Sequence, residues 1–377
     1  MKDFKKILSY FLGVLFFFVI IAARPKKHEP ILLSRYAEEQ ASLDEHEESN
    51  GGEEFVPGDF ILDHIGDAYE WHILTYKDFH LTIPLPVIII SQTKGLNVFL
   101  FNKFHHGHEV YKGFKYATSG ENEGKIVEIM DDGRTARPLL DLSFTKNCLA
   151  ILVSIILMLW VFISVARTYL ERTRKAPRGL QNFVEPIIIF IRDEVAIPSI
   201  GKEKYEKFLP FLLTIFFFIW INNMMGLIPI FPGGANVTGN ITVTMLLALF
   251  TFAMTTINGS ENYWQHIFNP PGVPWWLKFP VPLVPIIEIV GMFTKPFVLM
   301  IRLFANIAAG HIITLGFFSL IFIFGEMKMM MGYVVSPLTI AFTVFMTFLE
   351  LLVALIQAYV FTLLSSLYFG MATEEHH

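Results

Sequence analysis

Apolar residues in this chain run in long unbroken blocks instead of the spaced pattern of a water-soluble fold. The blocks fall at Ile7 to Ala23, Asn147 to Ala166, Phe208 to Ser260, Leu283 to Phe324 and Met329 to Phe369. Asn147 to Ala166 carries no charge and is long enough to cross a hydrocarbon layer of about 30 Å as a helix. Phe208 to Ser260 is also uncharged, and the turn-rich centre from Pro229 to Gly239 splits it into a helical hairpin with an external loop. The last two blocks are well beyond one perpendicular span, so each is either strongly tilted or broken. Gly291, Pro296 and Gly310 permit bends in the first and Pro337 in the second. Gly179 to Ile200 has a short apolar middle closed by Arg192, Asp193 and Glu194, which suits a helix lying on the membrane surface. The pattern predicts an all-α polytopic membrane protein with five transmembrane helices, two of them long and tilted, plus a surface helix.

The first third reads differently. Residues 1–23, with Lys2, Lys5 and Lys6 ahead of the apolar run, fit a signal peptide or an uncleaved anchor. Residues 24–54 are acidic and poor in core-forming side chains, as expected of a linker. Residues 55–143 mix short β-branched runs such as Val87 to Ile90 and Lys125 to Ile129 with turn signals such as Asp131-Asp132-Gly133, which predicts a small β-rich exported region. The membrane domain then occupies residues 144–377.

Composition supports the class: 53% of residues are hydrophobic, mean hydropathy is +0.51, and Phe occurs 38 times. Between Arg35 and Lys77 there is no basic residue, whereas Arg167, Arg172, Arg174, Lys175 and Arg178 directly follow the first long span. Positive flanks stay inside, so the N-terminal region is exported, that span ends in the cytoplasm, and the C-terminus is cytoplasmic. A net charge of −5 without a basic block argues against nucleic acid. The one cysteine, Cys148, excludes a disulfide framework. His105, His106 and His108 are candidate metal ligands, but adjacent imidazoles suit solvated loop residues better. No Gly-rich Lys phosphate loop occurs, so the chain does not read as a stand-alone enzyme, and no cofactor is expected.

The chemistry lies in the few polar groups of the last two blocks: Glu288, Lys295, Arg302, Asn306, His311, Glu350 and Gln357. Arginine keeps its charge at any ordinary pH, and a charge at the bilayer centre costs about 2.5–3.5 kcal/mol on insertion scales. Arg302 therefore needs a partner or a hydrated path. At 100° per residue, Asn306 lies about 40° from Arg302, whereas His311 lies about 180° away and about 13.5 Å further along the axis. One face can thus meet a partner while the other presents His311 to a neighbouring helix. Glu350 and Gln357, seven apart, share a face.

Lys295-Pro296, the run Arg302-Leu303-Phe304-Ala305-Asn306, Gly310-His311, Glu350 and Gln357-Ala358-Tyr359 together resemble the a subunit of rotary F-type ATP synthases. The stretches from Phe183 to Pro186, Phe190 to Glu194 and Asn236 to Asn240 resemble its bacterial members. The likeness covers about Phe144 to the C-terminus and implies nothing for the region before it. It implies that Arg302 meets the carboxylates of a c-subunit ring in turn and that Asn306 and Gln357 are its polar neighbours. It further implies that His311 and Glu350 form an acid–imidazole couple on the proton path from outside, and that Glu288 serves the path to the cytoplasm. In several members the acid precedes the imidazole along the chain; here His311 precedes Glu350. The implied partners are the c ring, the b subunits of the peripheral stalk, the other synthase subunits and the lipid of a bacterial inner membrane. A proton-coupled secondary transporter is the alternative, although the related halves common in that class are not evident.

Overall fold

A computed structural model of the chain describes residues 57–58, 61, 65–76, 79–107, 109–117, 122, 124–130, 134–171, 176–228, 233–268 and 283–374. The leader or anchor, the acidic linker, His108, the side chains of His105 and His106, and the Pro- and Trp-rich stretch 269–282 lie outside the described residues.

Among the described residues eight short strands precede the first long helix, and they pair antiparallel in three small sheets. The strands β1 (Glu70–Tyr76) and β2 (Phe79–Pro84) form a hairpin. The second sheet places β3 (Pro86–Ser91) between β4 (Gly95–Leu100) and β8 (Leu140–Asp141). In the third, β6 (Lys125–Ile129) lies between β5 (Phe114–Ala117) and β7 (Thr135–Ala136). Strand β3 alternates as a half-buried strand should: Val87, Ile89 and Ser91 point inward. With Tyr69, Phe99, Phe101, Phe104, Phe114 and Ile126, the Val87 and Ile89 side chains make a core separate from that of the helices. Ser91 and Thr93 donate their hydroxyls to the buried Glu128 carboxylate, and Lys94 Nζ lies 3.5 Å from it while bonding the Gly113 and Ile129 carbonyls. That network ties the β3–β4 turn to the third sheet.

The helices are α1 (Lys146–Glu171), α2 (Leu180–Phe190), α3 (Ile197–Ile200), α4 (Tyr205–Leu227), α5 (Ile241–Ile257), α6 (Glu261–Phe268), α7 (Leu283–Met327) and α8 (Met329–Thr373). A wider π turn, Ile191–Ala196, joins α2 to α3. Among the described residues four helices are long and apolar enough to span a membrane, and a fifth span results if α5 and α6, which meet at 103°, are counted as one. This is a polytopic membrane protein. Helices α7 and α8 run 45 residues each without a break, so of the two alternatives left by the sequence it is the unbroken one that occurs. Pro296 and Pro337 sit inside them, and each helix is about 68 Å long. They form a hairpin turning at Lys328, where a Cβ on Gly332 would come 2.9 Å from the Gly325 Cα, so only glycine permits that approach.

Helix α4 is the centre of the bundle. Most of its span is buried, and its Phe208 ring stacks on Phe369 of α8 with centroids 4.9 Å apart. The β region is fastened to this bundle at the head of α1. The Lys146 amide donates to the Ala68 carbonyl at 2.8 Å, and the Asn147 amide donates to Asp67 Oδ1 at 3.0 Å. Two of the four amides that a helix start leaves without intrahelical partners are thus capped by a segment 80 residues away. Trp71, buried, joins the helical core.

Candidate functional site

Arg302 projects from α7 into an exposed strip, with Asn306 one turn on and Phe297, Val298, Ile301 and Ile313 around it. Among the described residues no element covers that face, and Arg302 makes no hydrogen bond or ion pair with any of them. Leu299 and Leu303, about 60° and 100° round the helix from Arg302, are buried against the bundle, so Arg302 stands at the margin of the open strip. Leu299 and Leu303, four apart, share the buried side, and Val298, Arg302 and Asn306, each four apart, share the open one.

His311 lies towards α8. Its Nδ1 is 3.6 Å from Glu350 Oε1, and both side chains are largely buried. That separation is beyond hydrogen-bond length, and Glu350 Oε1 is buried without a hydrogen-bond partner, as is Thr314 Oγ1. Gly310 makes room for the carboxylate: a Cβ there would fall 2.6 Å from Glu350 Oε1. On the other side His311 Nε2 faces Gly226 of α4. His311, Glu350, Asn306 and Asn223 line a cavity of about 10 Å³, near the minimum for a single water molecule. Asn223 is held in place, donating to the Ala354 carbonyl at 3.2 Å and accepting from Thr238 at 2.5 Å. Asn222 Oδ1 is buried and without a partner.

A second, larger recess of about 470 Å³ opens at the other end of α7. It is lined by Glu288 and Lys295 with Tyr263, His266 and Glu374. Lys295 Nζ lies over the Tyr368 ring at 5.6 Å. Along α7, Glu288 is about 21 Å before Arg302 and His311 about 13.5 Å after it. Arg302 thus stands between two polar regions along the helix.

Of the six residues singled out by sequence, the structure brings Asn306, His311 and Glu350 to one cavity and puts Glu288 in the other recess. Arg302 stands on the open face, and Gln357 is buried in the bundle with no hydrogen bond to Arg302 among the described residues. Thr314, Thr238, Gly226, Tyr263 and His266 were not singled out. A threonine or glycine in an apolar helix carries no local signal; only the helix packed across from it gives it a role.

Residues 148–370 match the family described as ATP synthase A chain. The chain is 41% identical over 244 residues to ATP synthase subunit a of Chloroherpeton thalassium, covering 63% of this chain and 69% of that one. It is 45% identical over 241 residues to ATP synthase subunit a 2 of Chlorobaculum tepidum, with coverage of 62% and 64%. With ATP synthase subunit a of Myxococcus xanthus it shares 42% identity over 245 residues, with coverage of 63% and 75%. The chain belongs to the ATP synthase subunit a family. It is a membrane subunit of the Fo sector of an F-type ATP synthase, a family of channel subunits that are not themselves catalytic. Residues 60–142 match a separate family, described as Domain of unknown function (DUF8433).

Proposed function

We propose that this chain is the proton-conducting stator of the synthase, forming two offset half-channels against a ring of c subunits. The observation that carries this reading is Arg302: a permanent cation on an uncovered apolar strip, placed between the His311–Glu350 cavity and the Glu288 recess. A cation so placed is costly in lipid, so the face is best met by a partner that presents carboxylates.

A proton from outside passes the Asn222 and Asn223 amides to the His311–Glu350 couple and then protonates a ring carboxylate. Neutral, that carboxylate can face lipid, and the ring turns. After nearly a full revolution it reaches the Glu288 side, releases its proton towards the cytoplasm, and pairs as an anion with Arg302. The fixed guanidinium repels protons and so blocks a direct leak between the two paths. A potential of 100 mV supplies about 2.3 kcal/mol per charge, so several protons must be coupled to each ATP. In this reading α7 and α8 cross the membrane obliquely against the ring. The b subunits of the peripheral stalk hold the chain still, and the β region faces outward from a bacterial inner membrane.

Replacing Arg302 by Ala leaves the complex assembled and abolishes ATP-driven proton pumping in membrane vesicles. Arg302→Lys fails nearly as fully, because a point ammonium lacks the planar fork and sheds its proton when desolvated. Normal pumping by Arg302→Ala vesicles overturns the assignment.

A further inference from the structure

The junction between the exported β region and α1 does more than cap a helix. Asp67 accepts the Asn147 amide at 3.0 Å, yet the residue stays open to solvent. The next position, Lys146, carries an ammonium within electrostatic reach of Asp67 on one side and of His311 on the other. Asn147, also at this junction, keeps its side-chain oxygen buried and without a hydrogen-bond partner. Asp67, Lys146 and Asn147 thus gather at the junction, and of these the Lys146 ammonium is in electrostatic reach of His311. Asp67 lies in the stretch that matches the family of unknown function, and Lys146 falls between that stretch and the ATP synthase match, which begins at residue 148.

We propose that the exported region completes the outer mouth of the proton inlet, with Asp67 balancing the Lys146 ammonium at the threshold of the path to His311 and Glu350. This rests on the proton-conducting reading above. An ammonium beside a low-dielectric wall raises the potential at the mouth and repels incoming protons. A carboxylate next to it cancels that barrier, and clefts lined by one sign of charge change association rates by about 10- to 10³-fold. The groups facing Asp67 are Lys146, the Thr145 hydroxyl, the Cys148 thiol and Tyr69. Tyr69 donates its proton to Asp141 at 2.7 Å, with Arg137 nearby, so its hydroxyl is committed away from Asp67.

The test is ATP synthesis by vesicles holding the assembled complex, driven by an imposed proton gradient from the side that the β region faces. Rates are normalised to the amount of complex. Asp67→Asn keeps an oxygen to accept the Asn147 amide but removes the charge. Its rate should fall by about 3- to 10-fold at low ionic strength and recover in high salt. Asp67→Glu should stay near the parent rate, and Asp67→Asn combined with Lys146→Gln should regain most of the loss. Parent-like synthesis by Asp67→Asn at low salt overturns the proposal, as does a double variant no better than the single one. A defect confined to Asp67→Ala would reduce Asp67 to a helix cap and equally overturn it. Arg302→Ala measured alongside separates the two readings. If it makes ATP normally, the proton-conducting role itself fails; if it is dead while Asp67→Asn is normal, only the role of Asp67 falls.

Discussion

Two carboxylates in this chain are buried to a similar degree and treated in opposite ways. Glu128, in the β region, accepts hydrogen bonds from Ser91 and Thr93 and has the Lys94 ammonium 3.5 Å away. Glu350, on α8, has one oxygen buried with no hydrogen bond and an imidazole held just beyond bonding distance. Buried polar atoms are nearly always satisfied, because leaving one unpaired costs about 1–3 kcal/mol. A carboxylate held by hydrogen bonds and a neighbouring cation fixes structure and resists change of state. One left short of partners has room to take a proton, a water or a new neighbour, which is what a group on a conduction path must do. The β region uses its acid as a fastener, and on the proposed function the membrane hairpin holds its acid in reserve.

The sharpest way to break this contrast is at Glu350. Glu350→Gln removes the proton-carrying charge while nearly preserving shape, and it takes away no hydrogen bond at Oε1. Assembly should be unharmed, whereas passive proton flux through membranes stripped of the catalytic sector should fall by about 10²-fold, the usual scale for losing a positioned acid–base group. Exchanging the pair, His311→Glu with Glu350→His, should recover more flux than either single change. An unaltered rate and pH profile in Glu350→Gln would show that the pair is only structural.

A smaller effect is expected at Gly310, where a Cβ would fall 2.6 Å from Glu350 Oε1. The obstacle is the tip of a flexible side chain, so Gly310→Ala displaces the carboxylate from His311 without breaking the helix. Alanine also favours a helix by about 1 kcal/mol over glycine. The complex should therefore assemble at parental levels while proton flux drops about tenfold, since small misplacements of reacting groups cost up to about 10²-fold. Parental flux with parental assembly would mean that the spacing of the couple does not matter.

Much of the membrane architecture was legible because its signals are local. An uncharged apolar block long enough to span reads as a helix whatever surrounds it, and Arg302 in such a block is anomalous from the sequence alone. Helical spacing also separated the face of Arg302 from that of His311. What could not be read depends on distant partners. Pro296 and Pro337 looked like break points, yet both helices continue through them, as neighbouring helices in a membrane can re-satisfy the freed backbone groups. Asp67 gave no sign of capping α1, because its partner lies 80 residues on. Gly310 could be read as a bend, but its use is to admit a carboxylate from the other arm of the hairpin.

The least disruptive test is at Glu128, and it bears on the fastener side of the contrast. Burial alone would raise the Glu128 carboxyl, but hydrogen bonds from Thr93 and Ser91 and the Lys94 charge outweigh it and hold it below the ordinary value of 4.5. A carboxylate depressed on folding stabilises the folded form fully above its unfolded value, and that contribution is lost as pH falls through the lower folded value. Glu128→Gln should therefore cost about 1–3 kcal/mol of local stability at neutral pH, read as faster amide exchange in β3 and β6. The difference between parent and variant should shrink below about pH 4.5, where the parent loses the same charge. Proton flux at neutral pH should not change, because a loss of that size leaves the region folded and the membrane path untouched. If Glu128→Gln slowed flux as much as Glu350→Gln with β3 and β6 still protected, a fully satisfied carboxylate would be acting in transport, and the distinction between a fastened acid and a reserved one would not hold.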